Sequence, residues 1–423
     1  MLLMLHSNSS QDAQRETRQY DDNATRATTD EGLTIDAPAT SRPDEQIRIQ
    51  VTGAPPGDTV EFSATITDPN GVEWESSATF VADPDGVVDL TEHAPETGSY
   101  EGTEPMGWLW SMRASDEEQP VTALMTAEPT AVELRASAAG TTATRSITRA
   151  VDEEITVTQV EQEGLVGSVY EPAASGPRPG VLVLHGSGGT SVAFTAALLA
   201  EHGFTAFALQ YIGDDDALPD RIHRVPVSYV DRGACWFQSH AAVADGPLGI
   251  VGRSRGAEIG LHLAANYDWA GPVVSYVGSS VFWNTPSEEP AWVDADGETL
   301  PFVPGMGKPT LCEGQLDEAT AQELREATTP VEQLDGPVCF IAGEADPVWP
   351  ADRLAEMAVE RLERADFDHE YDHRSYGDAG HFITPPYLPK AHHVFGGSPK
   401  AMARADADAW PAALDCLDAG LGR

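Results

Sequence analysis

Lysine is almost absent from this chain: only Lys308, Lys390 and Lys400 occur, beside 22 arginines. Against these cations stand 68 aspartates and glutamates, leaving a formal net charge of −43 over 423 residues. A field of that sign repels nucleic acid and anionic lipid, so neither a nucleic-acid nor a membrane partner is expected. It also pushes the compact state apart in dilute buffer unless salt screens it. The acid is spread along the whole chain and 41% of residues are apolar. That is the pattern of a folded protein working in molar salt, not of an ordinary domain with an acidic tail. The expected setting is the cytoplasm of an extreme halophile.

Cysteine is scarce as well. Cys235, Cys312, Cys339 and Cys416 lie far apart and form no CxxC pair, which argues against a disulfide framework or a zinc site. No metal or cofactor is expected. No stretch approaches the ~20 apolar residues that span a bilayer. The opening Met1–Leu5 run lacks a basic n-region and is too short for a signal h-region. A soluble, intracellular protein is therefore expected, and its length allows two or three domains.

Residues 1–43 are polar and carry no sustained periodicity, so they read as a disordered or loosely attached leader. Over residues 44–150 the pattern has period two: Ile47, Ile49 and Val51 alternate with polar residues, as do Val60, Phe62, Ala64 and Ile66. Turn signals recur at Pro55-Pro56-Gly57-Asp58, Asp68-Pro69-Asn70-Gly71 and Asp83-Pro84-Asp85-Gly86. This spacing predicts an immunoglobulin-like β-sandwich domain, with later strands at Val121–Thr126, Ala131–Ser137 and Thr142–Thr148. The character changes over 151–423. Gly180–Leu184, Thr205–Leu209, Leu248–Val251, Val273–Val277 and Val338–Ala342 are continuous apolar runs, each the mark of a strand covered on both faces. Helix-like stretches alternate with them. The expected fold is α/β: a doubly wound, mostly parallel sheet preceded by the sandwich.

The sharpest local signal is Gly252-Arg253-Ser254-Arg255-Gly256, between an apolar run and a segment with helical spacing at Ile259 and Leu263. Strand, tight turn and helix form the setting of the nucleophile elbow in α/β-hydrolases. A serine hydroxyl needs a base, and the base needs an acid to orient it, in the chain order Ser, Asp/Glu, His. Asp346 follows the Val338–Ala342 run, with Glu344 as a local rival. His381 stands in the Gly-rich Tyr376–Phe382 stretch, with His392 and His393 as less well placed alternatives. The loop His185-Gly186-Ser187-Gly188-Gly189 follows another buried run, where a second oxyanion donor belongs. The oxyanion hole is thus assigned to the amides of Arg255 and of Ser187, with Gly188 as the neighbouring option. The loop lacks GxGxxG spacing and a P-loop lysine, so dinucleotide or ATP binding is weakly supported.

The chain resembles the acyl-CoA thioesterases that share their architecture with bile acid-CoA:amino acid N-acyltransferases. The likeness rests on the string from Gly98 to Met112, on Asp346-Pro347-Val348-Trp349-Pro350, and on the string from Gly380 to Tyr387. It covers roughly residues 45 to 400 and marks a member of haloarchaeal type. The resemblance implies hydrolysis or aminolysis of an acyl-CoA through an acyl-enzyme, with the roles falling on Ser254, Asp346 and His381, and it favours Asp346 over Glu344. Family thioesterases carry Lys after the serine, where this chain has Arg255. The N-acyltransferases use Cys where this chain has Ser254, which favours water as acyl acceptor. A small-ester carboxylesterase of dienelactone-hydrolase type and an inactive binding module are the other readings. Five arginines and two acids between Arg221 and Arg255 make a formal +3 window. Arg221, Arg224 and Arg232 are expected to meet coenzyme A phosphates there. Trp283, Trp292 and Phe302 are expected to contribute to the acyl pocket.

Overall fold

The computed structural model describes residues 32–423 apart from 117–120, 163, 175, 190, 191, 214, 216, 286, 305–308 and 391–394. Two sheets make the N-terminal layer. β1 (Thr34–Asp36), β3 (Gln50–Thr52) and β6 (Val88–Asp89) form one. The other runs β2 (Thr40–Ser41), β10 (Thr141–Arg149), β9 (Thr130–Ala138), β4 (Thr59–Thr67), β5 (Glu73–Val81) and β7 (Thr97–Gly98), with β8 (Arg113–Ala114) also on β5. Along β4, Val60, Phe62, Ala64 and Ile66 are buried and their neighbours are not. The period-two pattern of the sequence is therefore the inward face of a sandwich.

Two expectations are corrected here. Val121–Leu124 is a 3-10 turn, not a strand. Residues 32–43, expected as the end of a loose leader, carry β1 and β2. Ile35 pairs with Val51, and Leu33, Ile35 and Ala37 are buried. Three spaced apolar residues were enough to seat this segment, although its flanks are polar.

The larger sheet has eight strands. β11 (Thr156–Gln162) and β12 (Leu165–Glu171) are antiparallel. Beyond them follow β14 (Thr205–Gln210), β13 (Gly180–Leu184), β16 (Leu248–Arg253), β17 (Ala270–Tyr276), β19 (Val338–Gly343) and β20 (Tyr371–Tyr376), all parallel. A small parallel pair, β15 (Val225–Pro226) and β18 (Trp292–Val293), lies outside it. Every residue of β13, β17 and β19 is buried, because helices cover both faces. On one side lie α3 (Val227–Gln238), α4 (Arg255–Asn266) and α7 (Ala351–Ala365). On the other lie α2 (Ala193–Glu201) and α8 (Pro399–Leu421). α5 (Pro309–Glu318) and α6 (Ala321–Ala327) precede β19. Among the described residues no helix is long and apolar enough to cross a membrane, and no group of His, Cys, Asp or Glu could hold a metal ion.

α2 is buried from Phe194 through Ala200, with no polar side. A helix apolar all round must be covered all round. The sandwich supplies the outer cover: its core, α2 and α8 form one continuous apolar cluster. The short α1 (Gly107–Trp110) belongs to the same cluster. Polar contacts fix the registration. Asp44 Oδ2 accepts from Trp410 Nε1 at 2.9 Å on α8 and lies 2.5 Å from His202 Nε2 at the end of α2. Glu104 on the sandwich side pairs with Lys400 and Arg404 of α8 at 3.0 and 2.5 Å.

Burial alone would raise the Asp44 pKa, but the bonds from His202 and Trp410 and the nearby Arg42 charge outweigh it and hold the carboxyl down at about 2. Folding thus favours the ionised form. The stabilisation is complete above the unfolded carboxyl pKa, near pH 4, and is lost as pH falls through about 2. Asp44→Asn should cost on the order of 2 kcal/mol at pH 7 and much less at pH 2.5. Urea unfolding of both proteins at the two pH values in molar KCl checks this, and an equal cost at both would remove the ionised latch.

Candidate active site

Ser254 stands between β16 and α4 with φ 55° and ψ −120°, a backbone conformation side-chain-bearing residues rarely adopt. The glycines on either side are there for space. A Cβ on Gly252 would lie 2.4 Å from the Gly256 carbonyl oxygen, and one on Gly256 would lie 2.3 Å from that of Leu184. Ser254 N–H donates to Tyr276 O at 2.8 Å, and its carbonyl accepts from Ala257 and Glu258 as α4 begins. The turn thereby lifts the hydroxyl above the C-terminal edge of the sheet, at the switch point between β13 and β16, whose onward connections run to opposite sides of the sheet.

His381 Nε2 lies 2.9 Å from Ser254 Oγ, and its Nδ1 lies 2.6 Å from Asp346 Oδ2. A carboxylate can only accept, so Nδ1 carries the proton and Nε2 is left as acceptor for the hydroxyl. Asp346 follows β19; its other oxygen accepts from the amides of Val348 at 2.8 Å and Trp349 at 3.4 Å, and its side chain is 1% exposed. His381 follows β20. Its amide donates to Phe395 O at 2.8 Å, and a Cβ on the preceding Gly380 would meet two carbonyl oxygens at 2.3 Å. Glu344 instead accepts from Ser375 Oγ on an exposed edge. His392 and His393 lie outside the described residues.

The glycine loop after β13 reaches the same point. Gly189 N–H closes a turn onto Gly186 O, with Ser187 and Gly188 at its centre, and a Cβ on Gly186 would lie 3.3 Å from Ser254 Cβ. Arg255 opens α4, where first-turn amides have no intrahelical acceptor. His185, quoted in the sequence only as part of a motif, shapes this loop. Its Nδ1 bonds Gly186 O at 2.8 Å, its Nε2 accepts from Tyr211 N at 3.2 Å, and its ring stacks on Tyr211 at 3.8 Å. Burial pulls its pKa down to about 4, so it stays neutral at pH 7 and can donate and accept at once.

The arginine window divides. Arg221, Arg224 and Arg232 are exposed; Arg224 donates to Thr299 Oγ1 and Gly297 O at 3.1 and 2.6 Å. Arg253 lies over the Phe382 ring at 5.0 Å. Arg255 is fully buried: it bonds both Glu258 oxygens at 2.7 Å, the Trp283 carbonyl at 2.9 Å and the Asn284 carbonyl. Its guanidinium also covers the Trp349 ring at 5.5 Å, and that ring meets His381 edge-on at 5.8 Å. Trp283 and Trp292, expected at an acyl pocket, donate to Glu258 from their backbone and indole N–H groups at 3.0 and 2.8 Å and are buried around it. Phe302 is partly buried at the margin of the α3, α4, α7 cluster. The physical reason for the correction is Glu258, a buried carboxylate that needs donors on every side.

The chain matches two family models: residues 44–162 match the acyl-CoA thioester hydrolase/BAAT N-terminal region and residues 225–423 the BAAT/acyl-CoA thioester hydrolase C terminal. It is 30% identical to the mitochondrial acyl-coenzyme A thioesterase 2 of Mus musculus over 91% of this chain and 88% of the relative. It is 27% identical to the mouse peroxisomal succinyl-coenzyme A thioesterase, over 92% of this chain and 97% of that one. It is 28% identical to mouse acyl-coenzyme A amino acid N-acyltransferase 1, over 89% and 94%. Among solved structures, dienelactone hydrolase from Anabaena variabilis aligns over 62% of this chain and 99% of its own, at 16% identity and a TM-score of 0.36.

The buried pair beside Ser254 yields a stability test. Arg255→Met strands Glu258 in the core and should cost about 3–5 kcal/mol, whereas Arg255→Met with Glu258→Leu should recover most of it. Denaturant unfolding in molar KCl reads both. A loss below about 1 kcal/mol in the single variant would rank the pair with surface ion pairs.

Proposed function

Given that the chain belongs to the acyl-CoA thioester hydrolase/BAAT family, we propose that it hydrolyses acyl-CoA thioesters through an acyl-enzyme on Ser254. The observation that carries this reading is the unbroken line of hydrogen bonds from Ser254 Oγ through the His381 imidazole to the buried Asp346 carboxylate. As Oγ attacks the thioester carbonyl, its proton passes to His381 Nε2. Asp346 holds the Nδ1 proton and balances the imidazolium. The oxyanion rests on the amide of Arg255 and on that of Ser187 or Gly188. Collapse of the tetrahedral adduct breaks the C–S bond, and the departing coenzyme A thiolate takes the proton back from His381. His381 then deprotonates a water that attacks the acyl-enzyme carbonyl; collapse of this second adduct breaks the bond to Ser254 Oγ, which takes the proton back from His381, and the carboxylic acid leaves. A serine nucleophile supports water as the acceptor. The acid-rich composition supports a cytoplasm of high salt as the place of work.

Assay of free thiol from a panel of acyl-CoA lengths in molar KCl tests the reading. Turnover is expected, and Ser254→Ala should lower kcat by on the order of 10⁴-fold or more while the protein stays folded. A variant with near-parental turnover would remove the scheme, and an amide product formed with glycine would redirect it to acyl transfer.

The exposed arginines carry a separate expectation. Replacing Arg221, Arg224 or Arg232 singly by Gln should raise KM for acyl-CoA about two- to fivefold, the scale of one exposed charge contact. KM for an uncharged thioester should stay level. Equal shifts for the two substrates would take the arginines off the coenzyme A path.

A further inference from the structure

Lys390 is one of three lysines in a chain with 22 arginines, and it lies in the core. Its side chain is 2% exposed and that of its partner Asp406, on α8, is fully enclosed. An ammonium has three donors, and all three find acceptors here: Asp406 Oδ2 at 2.5 Å, Thr384 Oγ1 at 2.7 Å and the Phe382 carbonyl at 3.3 Å. Asp406 is equally engaged, accepting from the Thr384 amide at 2.9 Å and the Thr384 hydroxyl at 3.1 Å. The Lys390 amide donates to Trp110 O at 2.8 Å in α1 of the sandwich layer.

The side-chain bonds of Lys390 and Asp406 converge on Phe382 and Thr384, the stretch that presents His381. Phe382, its neighbour, has its carbonyl held by the ammonium. The Phe382 ring lies 5.3 Å from Lys390 Nζ and 5.0 Å from the Arg253 guanidinium, and it stacks on Phe395 at 5.4 Å. Phe395 O in turn accepts the His381 amide at 2.8 Å. Stability does not account for such a pair, because apolar residues of similar volume usually replace a buried ion pair at no cost. Nor would a guanidinium serve, since its planar five-donor fork does not match three acceptors converging on one point.

We propose that Lys390 is a positioning residue for His381, holding the Phe382–Thr384 backbone so that Nε2 stays in line with Ser254 Oγ. This rests on the reading of His381 as the base. The informative variant is Lys390→Met with Asp406→Leu, which removes both charges and leaves neither stranded; Lys390→Arg is its companion. Two readouts are needed. One is the rate at which a fluorophosphonate labels Ser254, which uses the Ser–His pair without any acyl-CoA. The other is kcat and KM for acyl-CoA in molar KCl. The double variant should keep its melting temperature, yet label about 10- to 100-fold more slowly and lose kcat by the same factor, with KM within about twofold, as expected for a small misplacement of the base. Lys390→Arg should fall between it and the parent. A folded double variant that labels and turns over like the parent overturns the proposal. If the parent labels but releases no thiol, the thioesterase reading fails while the labelling rates still decide the role of Lys390. A parent that does not label at Ser254 overturns both.

Discussion

One backbone turn sets the terms for the rest of the molecule. Ser254 sits at positive φ between a strand and a helix; the helix start crowds Gly252 and the end of β13 crowds Gly256 too closely for a side chain at either. A non-glycine residue held there costs of order 1–3 kcal/mol and persists only where the surroundings over-determine it. Here they do. β16 is locked between β13 and β17, the Ser254 amide is bonded to Tyr276 O, and the first turn of α4 is anchored by the Arg255–Glu258 pair.

The other two loops are held to that turn by packing, not by chain proximity. Trp349 is the link. Its amide bonds Asp346, its indole N–H bonds Val277 O at 2.9 Å, one face receives Arg255 and its neighbour is the His381 ring. The Asp346 loop, His381 and the helix that follows Ser254 therefore share one buried side chain. Beneath the histidine, Lys390 and Asp406 tie the same loop to α8 and, through Trp110, to the sandwich. The N-terminal layer thus contributes to the site from behind, by covering α2 and α8, although none of its residues adjoins Ser254 in the bonds described.

Much of this was legible in the sequence for a simple reason: the signals are local. Apolar runs announced the covered strands, alternation announced the sandwich, and the order of GxSxG, Asp346 and His381 picked out side chains that meet although Ser254 and His381 stand 127 positions apart. What could not be read depends on partners far apart in the chain. Glu258 is surrounded by Trp283 and Trp292, and Lys390 by Asp406; nothing in the charge of one residue reveals that its partner lies 16 or 34 positions away. Sequence reasoning treats charge as a property of the surface, and so Arg255 fell into one cationic window with Arg221, Arg224 and Arg232, and the two tryptophans into a pocket. The seating of residues 32–37 was missed for a related reason, because three apolar residues in a polar stretch are too few to show a period.

The same distinction explains why a lysine stands at position 390. Among the described residues the enclosed carboxylates are few, Asp44, Asp68, Asp89, Glu104, Glu258, Asp346 and Asp406 among them, so most of the excess negative charge lies where solvent and salt reach it. Whatever favours arginine over lysine on such a surface has no hold on the interior, where acceptor geometry decides. At position 255 a carboxylate and two carbonyls spread out in front of the side chain, a shape that suits a planar fork. At position 390 the acceptors close on a single point, and only an ammonium fits. Two buried cations, one of each kind, thus flank the same serine–histidine pair, and each is dictated by its acceptors and not by the composition of the chain.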